Sequence, residues 1–232
     1  MYDGLIIFAR MSSRRLPGKS LIDIEGRPLL GRVLDRSRRV KQVKEIIVAT
    51  SVKPDDDAIE SFAREEGVAI YRGALENVAE RALECADTFG LDRFARVCGD
   101  RPFFDPSIVD LLFKTQEENG LDLATNVAEK TFPAGVTAEI ITTEALRKVV
   151  SVIETSHDLE HVTSYFYRHP EKFNIANLKA ENPADRDISL VVDNEADLNR
   201  ARFIARGLGL ESHNASLSDV IKLAKQWYSE QK

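Results

Sequence analysis

Ala9-Arg10-Met11-Ser12-Ser13-Arg14-Arg15-Leu16-Pro17-Gly18-Lys19 is the stretch on which the reading of this chain turns. It follows directly on Leu5-Ile6-Ile7-Phe8, a short apolar run that reads as a buried strand. A strand emptying into such a loop puts the loop at the carboxyl edge of a sheet, where open α/β folds bind their ligands. Three arginines offer forked donors, Lys19 a point charge, and Ser12, Ser13 and unpaired backbone N–H groups further donors. That set suits a polyphosphate better than a merely solvated turn. Pro17-Gly18-Lys19-Ser20 also looks like the tail of a G-x-x-x-x-G-K-[ST] phosphate loop. The opening glycine of that motif would stand at position 13, where Ser13 stands, and Pro17 lacks an N–H that the cradle would use.

Downstream of this loop, apolar runs and helical patterns alternate. Pro28 opens a helix carrying Leu29, Leu30, Val33 and Leu34, and strands are expected at 45–50, 68–71, 94–97 and 122–125 with helices between them. The order β-α-β-α-β-α-β-α-β predicts a mostly parallel sheet covered by helices on both faces. The pattern then turns irregular. A turn at 132–135, an extended stretch at 136–142, helices over 143–153 and 159–169, a strand at 188–192 and two closing helices from Asn194 and Ser216 are expected. Arg72-Gly73 reads as a turn. One domain spanning 1–232 is expected, with about 130–180 as an irregular insertion or dimerisation region.

Charge and composition narrow the function classes. The 232 residues carry a net charge of −6, which argues against general nucleic-acid binding. No apolar run approaches the ~20 residues of a membrane span, and no signal peptide is expected. Cys85 and Cys98 make no disulfide framework, so a reducing cytosol is the expected compartment. Between Arg10 and Lys44 stand eleven Lys and Arg against three acids. Arg32, Arg36 and Arg39 recur at helical spacing and read as a solvated face; Arg10, Arg14, Arg15 and Lys19 do not share it.

Two acids directly follow expected strands, Asp100 after 94–97 and Asp193 after 188–192. Beside a polycationic loop they suit a divalent cation bridging to phosphates. Asp193 could equally cap the helix that begins at Asn194. His157 and His161 stand four apart on an expected helix, a zinc-compatible spacing with no third ligand apparent. Trp227 reads as a packing anchor on the last helix.

Taken together, these motifs resemble the sugar-acid cytidylyltransferases, which make CMP-sialate and CMP-3-deoxy-manno-octulosonate, and most closely their spore coat polysaccharide biosynthesis subgroup. The resemblance rests on Ala9-Arg10-x-x-Ser13-x-Arg15-Leu16-Pro17-x-Lys19, Arg72-Gly73-x-x-Glu76-Asn77-Val78, Gly99-Asp100-x-Pro102-Phe103-x-Asp105-Pro106, Thr131-Phe132-Pro133-x-Gly135 with Glu139, Glu160-His161-Val162-Thr163, and Val192-Asp193-x-x-x-Asp197-Leu198. It implies a three-layer α/β/α nucleotide-diphospho-sugar transferase fold of GT-A type. It implies transfer of CMP from CTP to a sugar or sugar acid, with Mg²⁺ as cofactor. By the same resemblance Ala9, Arg10, Ser13, Arg15, Lys19, Arg72, Gly73, Asn77 and Asp100 bind the nucleotide, Arg10, Lys19 and Asp100 are catalytic, and Asp100 and Asp193 hold the metal. The hairpin at 131–139 implies a homodimer. The chain departs from relatives at Asn77, where Asp is commoner, and at Arg101, where a neutral residue is. Arg101, Lys130 and Arg186 are candidates to meet an acceptor carboxylate. A glycosyltransferase of similar fold, a phosphate-loop phosphotransferase and a non-catalytic nucleotide-binding module are the competing readings. The nearest approach to a glycosyltransferase Asp-x-Asp is Asp55-Asp56-Asp57.

Overall fold

The computed structural model describes residues 1–209 and 212–231. Its first strand, β1 (Asp3–Phe8), is the apolar run preceding the basic loop. A small hairpin, β2 (Asp23–Ile24) and β3 (Arg27–Pro28), leads into α1 (Leu29–Ser37). Then come β4 (Glu45–Ser51), α2 (Asp57–Glu65), β5 (Ala69–Gly73), α3 (Val78–Thr88), β6 (Arg93–Cys98), α4 (Pro106–Asn119) and β7 (Leu123–Thr125). The second half adds β8 (Glu139–Thr142), α5 (Thr143–Val150), α6 (Ser156–Glu160), α7 (Ser164–Arg168), β9 (Ile175–Asn177), α8 (Glu195–Leu208) and α9 (Leu217–Glu230).

Seven strands form one sheet in the order β5-β4-β1-β6-β8-β7-β9. β5, β4, β1 and β6 run parallel, and β8 runs antiparallel between β6 and β7. Leu5, Ile7, Val48, Ala95 and Val97 pack on one face with α1 and α4, while Ile6, Ile47, Ala49 and Phe94 pack on the other with α3 and α5. Alternate residues of each central strand are thus apolar on both faces, as a sheet covered on both sides requires. The result is the mixed, mostly parallel α/β/α sandwich that the sequence implies.

Four expectations fail in detail. The stretch 188–192 is no sheet strand: Ser189 makes an isolated bridge to Ala134. Ile188, Leu190 and Val192 are apolar because they cover the core, all 9% exposed or less. The expected helix over 159–169 is broken between α6 and α7, with His161 beyond the end of α6. Arg72-Gly73 extends β5, pairing with Thr50 and Ser51, and does not turn. Arg32 and Arg36 are not solvated. Arg36 is 1% exposed and donates to the carbonyls of Phe104, Ser212 and Ala215, at 3.1, 3.1 and 3.3 Å. Arg32 reaches Ser212 Oγ at 2.6 Å and the carbonyls of Ile24 and Glu25. Only Arg39, of the three, is exposed, and it donates to the His213 carbonyl. The face is the seam on which the C-terminal segment docks.

Candidate functional site

The basic loop leaves β1 at the carboxyl edge and folds on itself. Ala9 is buried and donates its N–H to the Ala49 carbonyl at 3.3 Å. The Ser13 and Gly18 N–H groups both donate to the Met11 carbonyl, at 2.9 and 3.0 Å, and Leu16 is anchored in the core. Ser13 Oγ accepts from the Leu16 N–H at 3.4 Å. Gly18, at φ +71°, takes the left-handed conformation that turns the chain into the 3₁₀ turn Lys19–Leu21. The N–H groups of Ser12, Arg14 and Arg15 make no bond to the described residues, so the loop keeps donors for a ligand. Asp56, read from sequence only as part of a helix start, ties the loop down. It is 1% exposed and accepts from the Met11 N–H at 2.7 Å and the Ser51 N–H at 3.1 Å. Asp56 is thus engaged in holding the loop, and Asp57 pairs with Arg72.

Asp100 arrives from β6. Gly99 donates to the Phe8 carbonyl at 2.8 Å, and a Cβ there would stand 3.0 Å from that oxygen and 3.1 Å from Ala9 Cβ. Glycine therefore lets β6 exit hard against the start of the loop. Asp193 arrives on the segment whose Val192 N–H donates to the Asp100 carbonyl at 2.9 Å. Helix α8 is capped by Asn194, in a reciprocal capping box with Asp197, so Asp193 has no capping duty.

Lys19 joins the two acids. Its Nζ lies 3.0 Å from Asp100 Oδ2, 2.8 Å from Asp193 Oδ1 and 3.0 Å from the Val192 carbonyl. Burial opposes its charge, but the two carboxylates outweigh that cost and hold its pKa above the ordinary lysine value. Arg15 reaches Asp193 Oδ2 at 2.9 Å from an exposed position, and Arg10 reaches Glu160 at 3.3 Å. The donor set fits a divalent cation such as Mg²⁺. Three hard oxygens, two of them anionic, already surround one positive centre within 3.0 Å. Among the described residues no group of three or more His, Cys, Asp and Glu side chains could hold a metal. Two carboxylates completed by phosphate oxygens are an ordinary Mg²⁺ arrangement. The His157 and His161 rings lie against each other at a tilt of 56°, with centres 4.6 Å apart.

The second expected segment reaches the same sheet edge with its side chains engaged. Arg72 donates to the carbonyls of Ser51 and Lys53 at 2.9 and 2.8 Å and pairs with Asp57 and Glu60, both at 2.7 Å. Gly73 is buried at the end of β5. Asn77 caps α3, accepting from the Glu80 N–H at 3.0 Å and donating to the Glu80 carboxylate at 2.9 Å. Arg101 donates through Nη1 to the carbonyl and hydroxyl of Thr137, while its Nε is buried without a partner. Lys130 pairs with Asp187 at 2.9 Å, and Arg186 lies 3.9 Å from the same acid, on exposed surface.

A buried network near this edge escaped the sequence reading. Glu139, 1% exposed, pairs with Arg96 at 2.5 Å and accepts from the Tyr167 hydroxyl at 2.5 Å, with Thr125 2.8 Å from that hydroxyl. Burial, then the Glu139 charge, push the Tyr167 pKa far above the usual phenol value. Glu139 therefore stands inside the fold, and what the 126–138 connection offers at the surface is its exposed stretch from Val127 to Lys130. The signal for the network was the pairing of Arg96 with Glu139 in adjacent strands, which the sequence does not display.

The family model described as Cytidylyltransferase matches residues 5–220. The chain belongs to the cytidylyltransferase family. As a member it is a nucleotidyltransferase. It is 29% identical to the spore coat polysaccharide biosynthesis protein SpsF of Bacillus subtilis, over 94% of this chain and 92% of that protein. It is 34% identical to the 3-deoxy-manno-octulosonate cytidylyltransferase of Geobacter sulfurreducens, over 72% of this chain and 62% of that enzyme. Among solved structures, a cytidylyltransferase from Leptospira borgpetersenii superposes with a TM-score of 0.92 at 29% identity, over 99% of this chain and 96% of that one. The CMP:2-keto-3-deoxy-manno-octonic acid synthetase in complex with CTP has a TM-score of 0.67 at 20% identity, covering 87% of this chain and 97% of that one, and shares the fold.

Proposed function

We propose that this cytidylyltransferase transfers CMP from CTP to a hydroxyl of a sugar or sugar acid and releases pyrophosphate, activating a sugar for a surface polysaccharide. The observation that carries the reading is Lys19 set between Asp100 and Asp193, beneath a loop with unspent N–H groups and arginines. The names of two relatives, a 3-deoxy-manno-octulosonate cytidylyltransferase and a spore coat polysaccharide biosynthesis protein, support the acceptor class.

In the reaction the acceptor oxygen bonds to the α-phosphorus and the bond from that phosphorus to the β-bridging oxygen breaks. The acceptor hydroxyl gives up its proton to solvent water, and the bond electrons leave on pyrophosphate. Arg10, Arg15 and Lys19 hold the triphosphate and neutralise the charge that grows on the departing pyrophosphate, with Ser13 and the loop N–H groups as further donors. Arg72, Gly73 and Asn77 frame the nucleoside side. Asp100 and Asp193 would hold Mg²⁺, which when bound withdraws charge from the phosphate oxygens and orients them. No covalent enzyme intermediate is required. The chain works as a single domain and, by the resemblance of its 131–139 hairpin, as a homodimer. Light scattering at micromolar concentration tests the latter, with a monomer counting against it.

The deciding experiment is calorimetric binding of CTP, UTP, ATP and GTP with and without Mg²⁺, followed by pyrophosphate release with 3-deoxy-manno-octulosonate and N-acetylneuraminate. CTP preference and release of pyrophosphate with either acid are expected. ATP preference, or binding of no nucleotide, would overturn the reading.

A further inference from the structure

The Lys19 ammonium has three N–H donors and finds three oxygens: one from Asp100, one from Asp193 and the Val192 carbonyl. Its hydrogen-bonding capacity is therefore filled by the protein alone. Its side chain is 14% exposed, less than Asp100 at 24% or Asp193 at 29%, so the lysine fills the gap between the acids and does not lie across them. The far oxygen of Asp193 is covered by Arg15. The two carboxylates that suit a divalent cation are thus neutralised from within the chain.

A lysine ammonium and a divalent ion cannot share that space. Like charges within a few ångströms repel strongly in a partly desolvated site, and an ion bridging the two acids would stand where Lys19 already bridges Asp100 Oδ2 and Asp193 Oδ1. For the ion to enter, Lys19 must leave, and it leaves only toward another anion that repays the lost ion pairs. The neighbouring loop, with Arg10, Arg15 and its unpaired N–H groups, is built to place a polyphosphate within reach of the Lys19 stem.

The geometry points to Lys19 as an internal counter-cation that keeps divalent metal out of the Asp100–Asp193 pair until a triphosphate draws the lysine away. The species the enzyme takes up is then the metal–nucleotide complex, and free metal does not load first. This rests on the reading of the loop as the triphosphate site, but its test is made without nucleotide.

The probe is Mn²⁺, added to nucleotide-free protein and followed by calorimetry and by the electron paramagnetic resonance signal of free Mn²⁺. Wild type is expected to bind Mn²⁺ weakly. Lys19→Met is expected to bind it at least ten times more tightly, and Arg15→Ala, which uncovers one oxygen, to show a smaller gain. Lys19→Met/Asp100→Asn is expected to lose the gain, which assigns the ion to this pair. Circular dichroism melting establishes that each variant is folded. Should Lys19→Met fail to fold, Lys19→Gln, which keeps hydrogen-bonding capacity without the charge, carries the same expectation. Equal or weaker Mn²⁺ binding by the folded neutral variants, or tight binding by wild type without nucleotide, would overturn the proposal. CTP binding by wild type, measured in parallel, reports separately on the nucleotide site.

Discussion

Two groups of cations in the first 44 residues carry the same charge and do opposite things. Lys19 and Arg15 rest on carboxylates at the sheet edge. Arg32 and Arg36, on α1, are buried and spend their donors on backbone carbonyls and Ser212 of the C-terminal segment. A lysine or arginine can exchange a partly exposed carboxylate partner for a phosphate, because one anion replaces another. A carbonyl fixed in the fold cannot be exchanged, and a guanidinium bonded to it works as a staple. The difference separates a site from a seam where net charge alone does not.

The largest effect that could break this distinction lies in turnover. Removing Lys19 or Asp100 in the single variants Lys19→Ala and Asp100→Ala should slow CMP transfer by about 10²–10³-fold or more, the range for losing one preorganised charge aimed at a transition state. Melting temperatures should move little: in Asp100→Ala, Lys19 keeps Asp193 and the Val192 carbonyl, and in Lys19→Ala, Asp193 keeps Arg15 while Asp100, which loses its ion pair, is exposed enough to be hydrated. Near-normal turnover in either folded variant would make the cluster a structural ion pair.

The seam should respond in the other direction. Arg36→Met retains much of the volume but removes a donor from three carbonyls, those of Phe104 and Ser212 in buried bonds and that of Ala215 in a partly buried one, each loss costing on the order of 1 kcal/mol or more. A loss of about 3 kcal/mol in urea-unfolding free energy is expected, with kcat per folded molecule preserved. Burial already pulls the Arg36 pKa down to about 10, so a replacement that carries no charge loses less than one that would bury a charge unpaired. A kinetic defect without a stability defect would place Arg36 with the loop cations and erase the comparison.

This contrast also measures what the sequence could show. Helical spacing placed Arg32 and Arg36 on one face of α1, and that was right. What packs on the face lies about 180 residues away, at Ser212 and Ala215, and periodicity carries no information about a partner so distant. The loop, Asp100 and Asp193 were legible because each directly follows an apolar run or leads into a helix start. The stretch 188–192 misled because an apolar segment covering a core and a buried strand have the same composition. Val192 even so delivers Asp193 where a strand would have delivered it, through its bond to the Asp100 carbonyl. The Arg96–Glu139–Tyr167 network joins β6, β8 and α7, elements far apart in sequence with other helices and strands between them, so no local pattern announces it.

Asn77 sits between the two classes, and a smaller effect sharpens its place. Its side chain caps α3, so Asn77→Ala should cost about 1 kcal/mol of stability, read by urea unfolding. Asn77→Asp keeps the bond accepted from the Glu80 N–H but turns the donation to the Glu80 carboxylate into a like-charge contact, and should restore only part of that stability. If Asn77 also touches the nucleoside, the alanine variant will raise KM for CTP beyond what the aspartate variant does. Equal KM values across wild type and both variants would leave it a cap alone.

The smallest effect tests whether burial, and not sequence position, decides reactivity. Cys85 is fully buried on α3, and burial pushes its thiol up to about 12 from an ordinary value of 9.0, while Cys98, at the end of β6, is partly exposed. At pH 8 a disulfide reagent should modify one thiol quickly in the native protein and the second only on unfolding, because the thiolate is the nucleophile. The same shift sets a sign for stability. The native state holds the Cys85 proton more tightly than the unfolded chain does. The unfolding free energy is therefore unaffected by this group below the ordinary thiol pKa and falls as pH rises from about 9 toward 12. Cys85→Ala should flatten that alkaline decline while losing some packing at every pH. A decline unchanged by the substitution would mean that another group carries it, and rapid modification of both thiols in the native protein would mean that α3 opens far more readily than its packing against the sheet implies.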